Sequence, residues 1–290
     1  MNQPLVPIRT SYFGDSREDA SVRGLEVVLA QPGIDVVSVT CGRGDASYQD
    51  GAMQRVARSA GVPVLNLAGV RREVGAPELA ISFYNPVIFP PDFIDQVRWG
   101  VLNIHPGPLP EYRGCCAIEH ALLDGAAEFG ATLHLCDREI DTGPIVDEER
   151  IPITAADTAR TLWSKADDLS LLLLKRTLPR VVEAARDGQR VPVRAQDATG
   201  AQYFKAGLPR DGRLDLSGGW DSVVRQVRAY DHRRWEPAFL ECDGHRIRFR
   251  YQDGNVVLDR VEAFDQLDRR PRDSAVPRSS GARFISVPEG

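Results

Sequence analysis

The sequence predicts an α/β protein with a Rossmann-like, doubly wound and mostly parallel sheet, followed by a smaller C-terminal β-rich, barrel-like domain. Two observations predict this architecture. In the first half, short apolar runs alternate with stretches of helical periodicity, which is the pattern of βαβ units. After about residue 214, strand-like runs follow one another with Asp-Gly pairs between them, which is typical of β-hairpins. The 290 residues are enough for one large domain and one small domain.

Five strands and two helices are predicted in the first half of the chain. Each strand is a short run rich in β-branched or other apolar residues, and each helix has apolar residues at helical spacing. The turn after the first strand, which starts at Gly14, lacks the GxGxxG pattern, so a classical dinucleotide site is not expected. The predicted strands are 8–13, 34–40, 62–67, 79–83 and 100–104, and the predicted helices are 22–29 and 50–59.

The second half of the chain predicts one long helix, a linker and the small domain. Thr154 and Asp157 are expected to cap a helix within residues 154–187. The polar, turn-rich residues 191–213 are predicted to link a catalytic domain, 1–190, to a domain formed by 214–290 with a loose tail. A helix at 220–228 and strands at 238–241, 246–251 and 256–261 are expected there, with hairpin turns at Asp243-Gly244 and Asp253-Gly254.

Composition and charge restrict the classes of function. Hydrophobic residues make up 42% of the chain and charged residues 27%, which is typical of a globular protein. The formal net charge of −5 argues against nonspecific nucleic-acid binding as the main activity. The five cysteines form no CxxC pair, and neither a metal site nor a disulfide framework is predicted. Without a signal-like segment or an apolar run of about 18 residues, the sequence predicts a cytoplasmic protein with no membrane partner.

The end of the fifth predicted strand carries the chemistry. Asn103 and His105 are two positions apart, so both side chains point to the same face of the strand. Pro106 ends the strand, and Pro108 and Pro110 stiffen the loop that follows. In an open parallel sheet the carboxyl ends of the strands form the ligand crevice, so these side chains are candidates for an active site.

A longer motif gives this stretch a family resemblance. The run Asn103-x-His-Pro-Gly-x-Leu-Pro-x-Tyr-Arg-Gly114 is followed by Gly-Ala-Thr-Leu-His134 and then by Ile-Asp141-Thr-Gly-Pro-Ile. The chain resembles the 10-formyltetrahydrofolate-dependent formyltransferases, most of all the sugar N-formyltransferases, and is related to methionyl-tRNA formyltransferase. The resemblance implies the formyltransferase fold, N-formyltransferase activity with N10-formyltetrahydrofolate as the donor, and catalytic roles for Asn103, His105 and Asp141.

The same resemblance implies binding roles around these residues. His134 is expected behind them, either as a supporting partner or as an ordinary structural histidine. No metal is required. Cys115 and Cys116 are interpreted as small buried residues, because no histidine lies at a spacing that would activate a nucleophilic thiol. The expected donor contacts are Phe83, Tyr84, Asn85, Val87, Ile88, Asp137, Ile140 and Gly143, and the expected acceptor contacts are Pro108, Tyr112, Arg113 and Gly114.

The chemistry of formyl transfer suits these residue types. A neutral amine attacks the formyl carbonyl, and the negative charge that develops on its oxygen needs fixed donors. Asn103 and a protonated His105 can both donate to this oxygen, and Asp141 can orient the imidazole and favour its charged form. Asp141 can also accept the proton that the amine loses, directly or through water.

Several acceptors are compatible with the sequence. The motif is most similar to those of enzymes acting on small-molecule amines, and a nucleotide-linked amino sugar is the preferred acceptor. The alternatives are methionyl-tRNA, for which a basic surface would be expected, and a hydroxyornithine-like natural-product amine. A formyltetrahydrofolate hydrolase is the alternative from a different class. Arg233, Arg234 and Trp235 are interpreted as a solvated loop rather than an RNA or phosphate site, and a homodimer is compatible with the sequence.

Overall fold

A computed structural model describes residues 6–42, 51–232 and 236–263 of the chain. Its strands are β1 (Ile8–Gly14), β2 (Ile34–Cys41), β3 (Leu79–Phe83), β4 (Val101–His105), β5 (Arg113–Gly114), β6 (Glu128–Leu135), β7 (Ile145–Pro152), β8 (Tyr203–Phe204), β9 (Phe239–Cys242), β10 (His245–Gln252) and β11 (Asn255–Ala263). Its helices are α1 (Asp19–Leu29), α2 (Ala52–Ser59), α3 (Leu67–Gly69), α4 (Pro91–Gln96), α5 (Ala117–Asp124), α6 (Ala159–Arg186) and α7 (Gly219–Tyr230). A π-helical turn at Val70–Val74 follows α3, and a 3₁₀ turn at Pro209–Gly212 precedes α7.

A six-stranded sheet forms the centre of the protein, in the order β2-β1-β3-β4-β6-β7. The pairs β1–β2, β1–β3 and β3–β4 are parallel, whereas β6 pairs antiparallel with both β4 and β7. Five of the six strands therefore point in one direction. The mostly parallel α/β sheet predicted from the sequence is confirmed, with β6 as the strand that opposes the others.

Alternate residues of the strands enter two different cores, because successive side chains of a strand point to opposite faces. Tyr12 packs with residues of α1 and α6 on one face, and its neighbour Phe13 packs with α4 on the other. Both side chains are fully buried. Helices on both faces make the sheet doubly wound, and the carboxyl ends of β3 and β4 remain as the edge at which a site can form.

One predicted strand is wrong. Residues 62–67 form only an isolated bridge, between Val64 and Val39. Pro63 has no N–H to donate to a strand ladder, which limits pairing here. Asn66 then caps α3, because its side chain accepts a hydrogen bond from Gly69 N at 2.8 Å.

The long helix α6 is confirmed, but its cap lies further along the chain than predicted. Thr158 caps the helix in a capping box with Thr161, whose Oγ1 accepts a hydrogen bond from Thr158 N at 3.0 Å. Thr154 and Asp157 instead bond to each other in the preceding turn. No helix among the described residues combines the length and apolarity that a membrane-spanning segment needs.

The C-terminal region contains a three-stranded antiparallel sheet in the order β11-β10-β9. Both predicted hairpin turns are confirmed, since Asp243-Gly244 and Asp253-Gly254 each have two consecutive positive φ angles, as type I′ turns require. Helix α7 joins this region to α5 and α6 through one continuous apolar core. This core includes Ile118, Leu162, Leu214, Val227 and Ala238.

Candidate active site

Strand β4 places Asn103 and His105 at its carboxyl end. His105 is 5% exposed. Its Nε2 lies 2.6 Å from the carbonyl oxygen of Tyr112, which can only accept, so Nε2 carries the donated hydrogen. Its Nδ1 lies 3.5 Å from Asp141 Oδ2. An acceptor therefore faces each ring nitrogen, an arrangement that the doubly protonated imidazolium can satisfy.

His134 holds the side chain of Asn103. The two residues are direct partners in the antiparallel pairing of β4 with β6. His134 Nδ1 donates to the carbonyl oxygen of Leu135 at 3.1 Å, which leaves Nε2 to accept from Asn103 Nδ2 at 3.0 Å. His134 thus contacts a predicted catalytic residue directly.

Asp141 is the carboxylate that connects these groups. Its Oδ2 accepts a hydrogen bond from Gly114 N at 2.8 Å, and its Oδ1 lies 3.5 Å from His134 Nε2. Burial opposes ionisation of Asp141, but the neighbouring His105 and the Gly114 N–H outweigh it and hold the pKa of the carboxyl well below its ordinary value. Asp141 is therefore a carboxylate at neutral pH.

Gln196 supports the backbone of Asp141, and sequence reasoning missed it. Gln196 Nε2 donates to the carbonyl oxygens of Asp141 at 2.9 Å and Gly143 at 2.7 Å. Its Oε1 accepts from Arg113 Nε at 3.1 Å and Nη2 at 2.7 Å. Gln196 lies in the segment predicted as a linker, whose polar composition gave no signal of these long-range contacts.

The predicted donor contacts at the end of β3 and in the loop after it differ in how far their side chains are exposed. The side chain of Phe83 is fully buried, and its carbonyl oxygen accepts a hydrogen bond from Ser21 Oγ at 2.6 Å. Tyr84 turns its ring toward α6, where its hydroxyl lies 3.0 Å from Ser170 Oγ, and burial raises the pKa of this hydroxyl well above its ordinary value. The Phe83 side chain is therefore inside the protein, whereas the Tyr84 ring is half-buried against α6.

The next residues of this loop are more accessible. Asn85 folds the loop onto itself, because its side chain both donates to Val87 O at 2.9 Å and accepts from Val87 N at 3.1 Å. Ile88 is 75% exposed. The loop thus presents one apolar side chain in a turn whose conformation is fixed by hydrogen bonds.

Loop 136–143 carries the other predicted donor contacts alongside β4. Cys136 N donates to Val101 O at 2.8 Å at its start. Asp137 Oδ1 accepts from Thr142 Oγ1 at 2.6 Å, and Ile140 is 44% exposed. Position 143 requires glycine because the main chain of Leu135 lies close to it: a Cβ atom at Gly143 would lie 1.8 Å from Leu135 O. The loop is therefore held tightly while Ile140 faces solvent.

A cavity of about 610 Å³ adjoins loop 136–143. Asp137 and Thr142 line it together with residues near Gly100. Asn103, His105 and Asp141 are not among its lining residues, so this cavity neighbours the predicted catalytic residues without containing them.

The predicted acceptor contacts lie in the segment that follows β4. Tyr112 N donates to Pro108 O at 3.0 Å, and the Tyr112 ring stacks on Phe204 with centroids 5.8 Å apart. Burial, with Asp124 nearby, raises the pKa of Tyr112 to about 12. Arg113 and Gly114 form β5, which pairs in parallel with β8. Of these residues, Gly114 is in direct contact with Asp141.

The remaining candidates add no further chemistry. Cys115 is exposed and Cys116 is half-buried, so the prediction that both are small buried residues is wrong. Partial desolvation raises the pKa of Cys116 to about 12 and also raises the pKa of Cys115, so neither thiol is an activated nucleophile. Among the described residues, no group of three or more His, Cys, Asp or Glu side chains is arranged to hold a metal ion. The basic patch at 233–235 lies outside the described residues.

Comparison with known proteins assigns the family. The formyl transferase family pattern matches residues 67–178, which include Asn103, His105 and Asp141. The methionyl-tRNA formyltransferase of Ralstonia nicotianae is 32% identical over 243 residues, which cover 76% of this chain and 72% of that protein. The chain belongs to the formyltransferase family. The resemblance and the enzyme class expected from the motif are confirmed, and the formyl donor of this family is N10-formyltetrahydrofolate.

Solved structures of formyltransferases share the fold. The N-formyltransferase of Helicobacter canadensis, in complex with folinic acid and dTDP-3-aminofucose, matches with a TM-score of 0.67 at 19% identity, over 88% of this chain and 100% of that one. The methionyl-tRNA formyltransferase of Clostridium thermocellum matches with a TM-score of 0.58 at 14% identity, over 88% of this chain and 99% of that one. The expected formyltransferase fold is confirmed.

Proposed function

We propose that this formyltransferase moves a formyl group from N10-formyltetrahydrofolate to the primary amine of a small molecule, with a nucleotide-linked amino sugar as the preferred acceptor. The observation that carries the proposal is the position of Asp141, whose carboxylate oxygens lie 3.5 Å from His105 and 3.5 Å from His134, which holds Asn103. A carboxylate, an imidazole and an amide supply the proton acceptor and the donors that formyl transfer to an amine requires.

Asn103 and His105 are proposed to stabilise the negative charge that develops on the formyl oxygen. Asn103 Nδ2 gives one hydrogen to His134 and keeps a second for that oxygen. His105 Nε2 is held by Tyr112 O, so Nδ1 is the nitrogen left for this contact. The 3.5 Å between Nδ1 and Asp141 Oδ2 is longer than an ordinary hydrogen bond, so a hydrogen on Nδ1 is not taken up by a close contact with Asp141.

Asp141 is the proposed proton acceptor. As the bond from the amine nitrogen to the formyl carbon forms and the bond from that carbon to N10 breaks, the amine loses one proton and N10 gains one. The depressed pKa keeps the Asp141 carboxylate ionised, so it can accept a hydrogen bond from the amine, and its low basicity means that it holds the proton only transiently, directly or through water.

The loops on either side of β4 fit the pterin of the donor. The Ile88 and Ile140 side chains are 75% and 44% exposed, and each belongs to one of the two loops. Exposed apolar side chains beside backbone fixed by hydrogen bonds suit a flat aromatic group with polar edges. The side chain of Phe83 is buried, so backbone groups are the proposed contacts there.

A small acceptor is proposed over a transfer RNA because arginines of the C-terminal sheet are paired with acidic side chains. Arg246 Nη2 contacts Glu241 Oε1 at 2.6 Å, and Arg250 Nε contacts Asp259 Oδ1 at 2.5 Å. A polyanion is bound through positive charges that neutralise phosphates, and these pairs neutralise each other instead. The dTDP-3-aminofucose in the Helicobacter canadensis structure also supports an amino-sugar nucleotide.

Methionyl-tRNA is the second candidate acceptor, favoured by the 32% identity to the Ralstonia nicotianae enzyme. A cytoplasmic location, a homodimer and the domain bounds 1–190, 191–213 and 214–290 remain predictions.

Tetrahydrofolate release from N10-formyltetrahydrofolate tests the proposal. The protein is assayed alone and with amino-sugar nucleotides, hydroxyornithine and charged initiator tRNA. Release with an amino-sugar nucleotide supports the preferred acceptor, and release with hydroxyornithine supports a different small amine. Release with tRNA would overturn the choice of a small acceptor, and amine-independent release would indicate a hydrolase.

A further inference from the structure

We propose that Gln196 is a positioning residue that couples the catalytic carboxylate of Asp141 to Arg113 on the acceptor side of the site. This inference rests on the proposed function of Asp141 and Arg113. Gln196 contacts the backbone of Asp141 and not its carboxylate, and it is not proposed to touch the substrate. It would act by fixing the positions of Asp141 and Arg113.

Both the nitrogen and the oxygen of the Gln196 side-chain amide make hydrogen bonds. Its Nε2 donates to two carbonyl oxygens of loop 136–143, at Asp141 and Gly143, and its Oε1 accepts from two nitrogens of Arg113. Because Nε2 has two hydrogens and Oε1 has two lone pairs, these four contacts match the full capacity of the side chain. A shorter side chain, or one that can only donate or only accept hydrogen bonds, would release at least one partner.

Asp141 needs such support because its backbone is in the left-handed region, with φ +57. This conformation costs free energy for a residue with a side chain and persists when the surroundings enforce it. Gln196 bonds the carbonyls of Asp141 and Gly143, and the main chain of Leu135 closes against Gly143 on another side. The orientation of the Asp141 carboxylate toward His105 therefore depends on the conformation of loop 136–143, which Gln196 stabilises by hydrogen bonds.

Gln196 is itself held by the segment that carries it. On one side, Arg194 and Ile145 exchange two backbone hydrogen bonds of 2.8 Å. On the other, Gln202 O accepts from Arg113 N at 3.1 Å, at the start of the β5–β8 pairing. The segment between these two anchors spans the site, so the backbone position from which the Gln196 side chain extends is fixed.

Arg113 is the second residue that Gln196 orients. Two of the five guanidinium donors face Gln196 Oε1, and this contact fixes the plane of the group. The neighbouring Gly114 donates its N–H to Asp141 Oδ2, so the same short strand binds the carboxylate directly. A shift of Gln196 would disturb acceptor binding and proton transfer together.

Three variants of the full chain separate these effects. Gln196→Glu keeps oxygens facing Arg113 but loses both donors to the loop, and Gln196→Met keeps the length while losing all four contacts. Gln202→Ala is the matched control, because Gln202 is an exposed glutamine of the same segment whose backbone makes the contacts cited. Steady-state tetrahydrofolate release gives kcat and the acceptor KM, and hydrogen exchange reports the amides of residues 136–143.

For Gln196→Glu we expect kcat to fall about 10-fold to 100-fold with the acceptor KM within about threefold, because a misplaced catalytic group slows the chemical step. For Gln196→Met we expect the same loss of kcat and a higher acceptor KM. Both variants should exchange faster in loop 136–143 than Gln202→Ala. Unchanged exchange in both would overturn the inference whatever the acceptor is. With an active wild type, kcat values within twofold would overturn it while leaving the proposed function intact.

Discussion

Asn103 and His134 face each other across β4 and β6, and their side chains bond at 3.0 Å between Nδ2 and Nε2. The histidine ring is fixed in turn by its Nδ1 contact with Leu135 O. This chain of contacts sets the amide plane of Asn103, so one hydrogen of its amide points away from His134. In the proposed mechanism His134 therefore orients Asn103 and does not itself face the formyl group.

Replacing His134 by Leu should lower kcat about 10-fold or more, because Asn103 loses the contact that orients its donor. The acceptor KM should change little. His245→Ala is the matched control, since His245 is an exposed histidine of β10. Steady-state kinetics of tetrahydrofolate release makes the comparison. A kcat for His134→Leu equal to that of the control would mean that Asn103 needs no such orientation.

Replacing Gly107 by Ala should disturb His105. The added Cβ would lie 2.8 Å from His105 Nε2 and 3.0 Å from the Cβ of Ala117, so the imidazole must move from the carbonyl of Tyr112. We expect kcat to fall at least about 10-fold with a modest loss of stability. Gly188→Ala is the control, because a Cβ there meets no atom within 4 Å and its positive φ affects stability alone. Equal kcat values for both variants would contradict the placement of His105.

The sequence predicted the parts of the site that depend on local pattern. Strands β1 to β4 follow from short apolar runs, and Asn103 and His105 follow from their spacing at the end of one of them. Gln196 could not be predicted, because its contacts to Asp141 cross 55 positions and its own segment reads as polar and turn-rich. The Asn103–His134 pair depends on the antiparallel register of β6, which hydrophobic periodicity does not encode.

Glu119 should make stability depend on pH. Burial raises its pKa from 4.5 to about 6, although Trp163 Nε1 donates to it at 3.2 Å. The unfolded chain therefore loses this proton at lower pH than the folded protein, and the cost to folding grows between pH 4.5 and about 6 and stays constant above. Glu119→Gln should increase the free energy of unfolding by up to about 2 kcal/mol at pH 7, and by little below pH 4.5.

Urea unfolding of Glu119→Gln at several pH values measures this effect, with the exposed Glu26→Gln of α1 as the control. His232 Nε2 lies 3.4 Å from Glu119 Oε1, where a hydrogen on Nε2 would offset part of the cost. A gain in stability that is the same at pH 4 and pH 7, or no gain at all, would show that Glu119 titrates as an ordinary carboxyl group.

The buried pair of Arg248 and Glu262 should stabilise the C-terminal sheet only as a pair. Arg248 Nε donates to Glu262 Oε2 at 2.6 Å, and the two side chains are 4% and 5% exposed. Arg248→Met should cost about 3–5 kcal/mol, because it leaves a buried carboxylate without its strongest partner. Adding Glu262→Leu should recover most of this loss.

Arg246→Met is the matched control on the same strand, because the Arg246–Glu241 pair is partly exposed and should cost about 1 kcal/mol or less. Chemical denaturation followed by circular dichroism measures all three variants. Equal losses for Arg246→Met and Arg248→Met would contradict the account of the buried pair.

The rate of a single turnover in Asp141→Asn tests the central claim most directly. Asn tolerates the left-handed backbone and can still accept from Gly114 N, so the fold and the donor site should be retained. Formyl transfer from N10-formyltetrahydrofolate to the amine identified in the acceptor assay is followed with enzyme in excess, and donor affinity is measured separately. We predict a rate at least about 10²-fold lower than that of the wild type, with donor affinity within about threefold. A rate within fivefold of the wild type would contradict the role of Asp141 and the mechanism built on it.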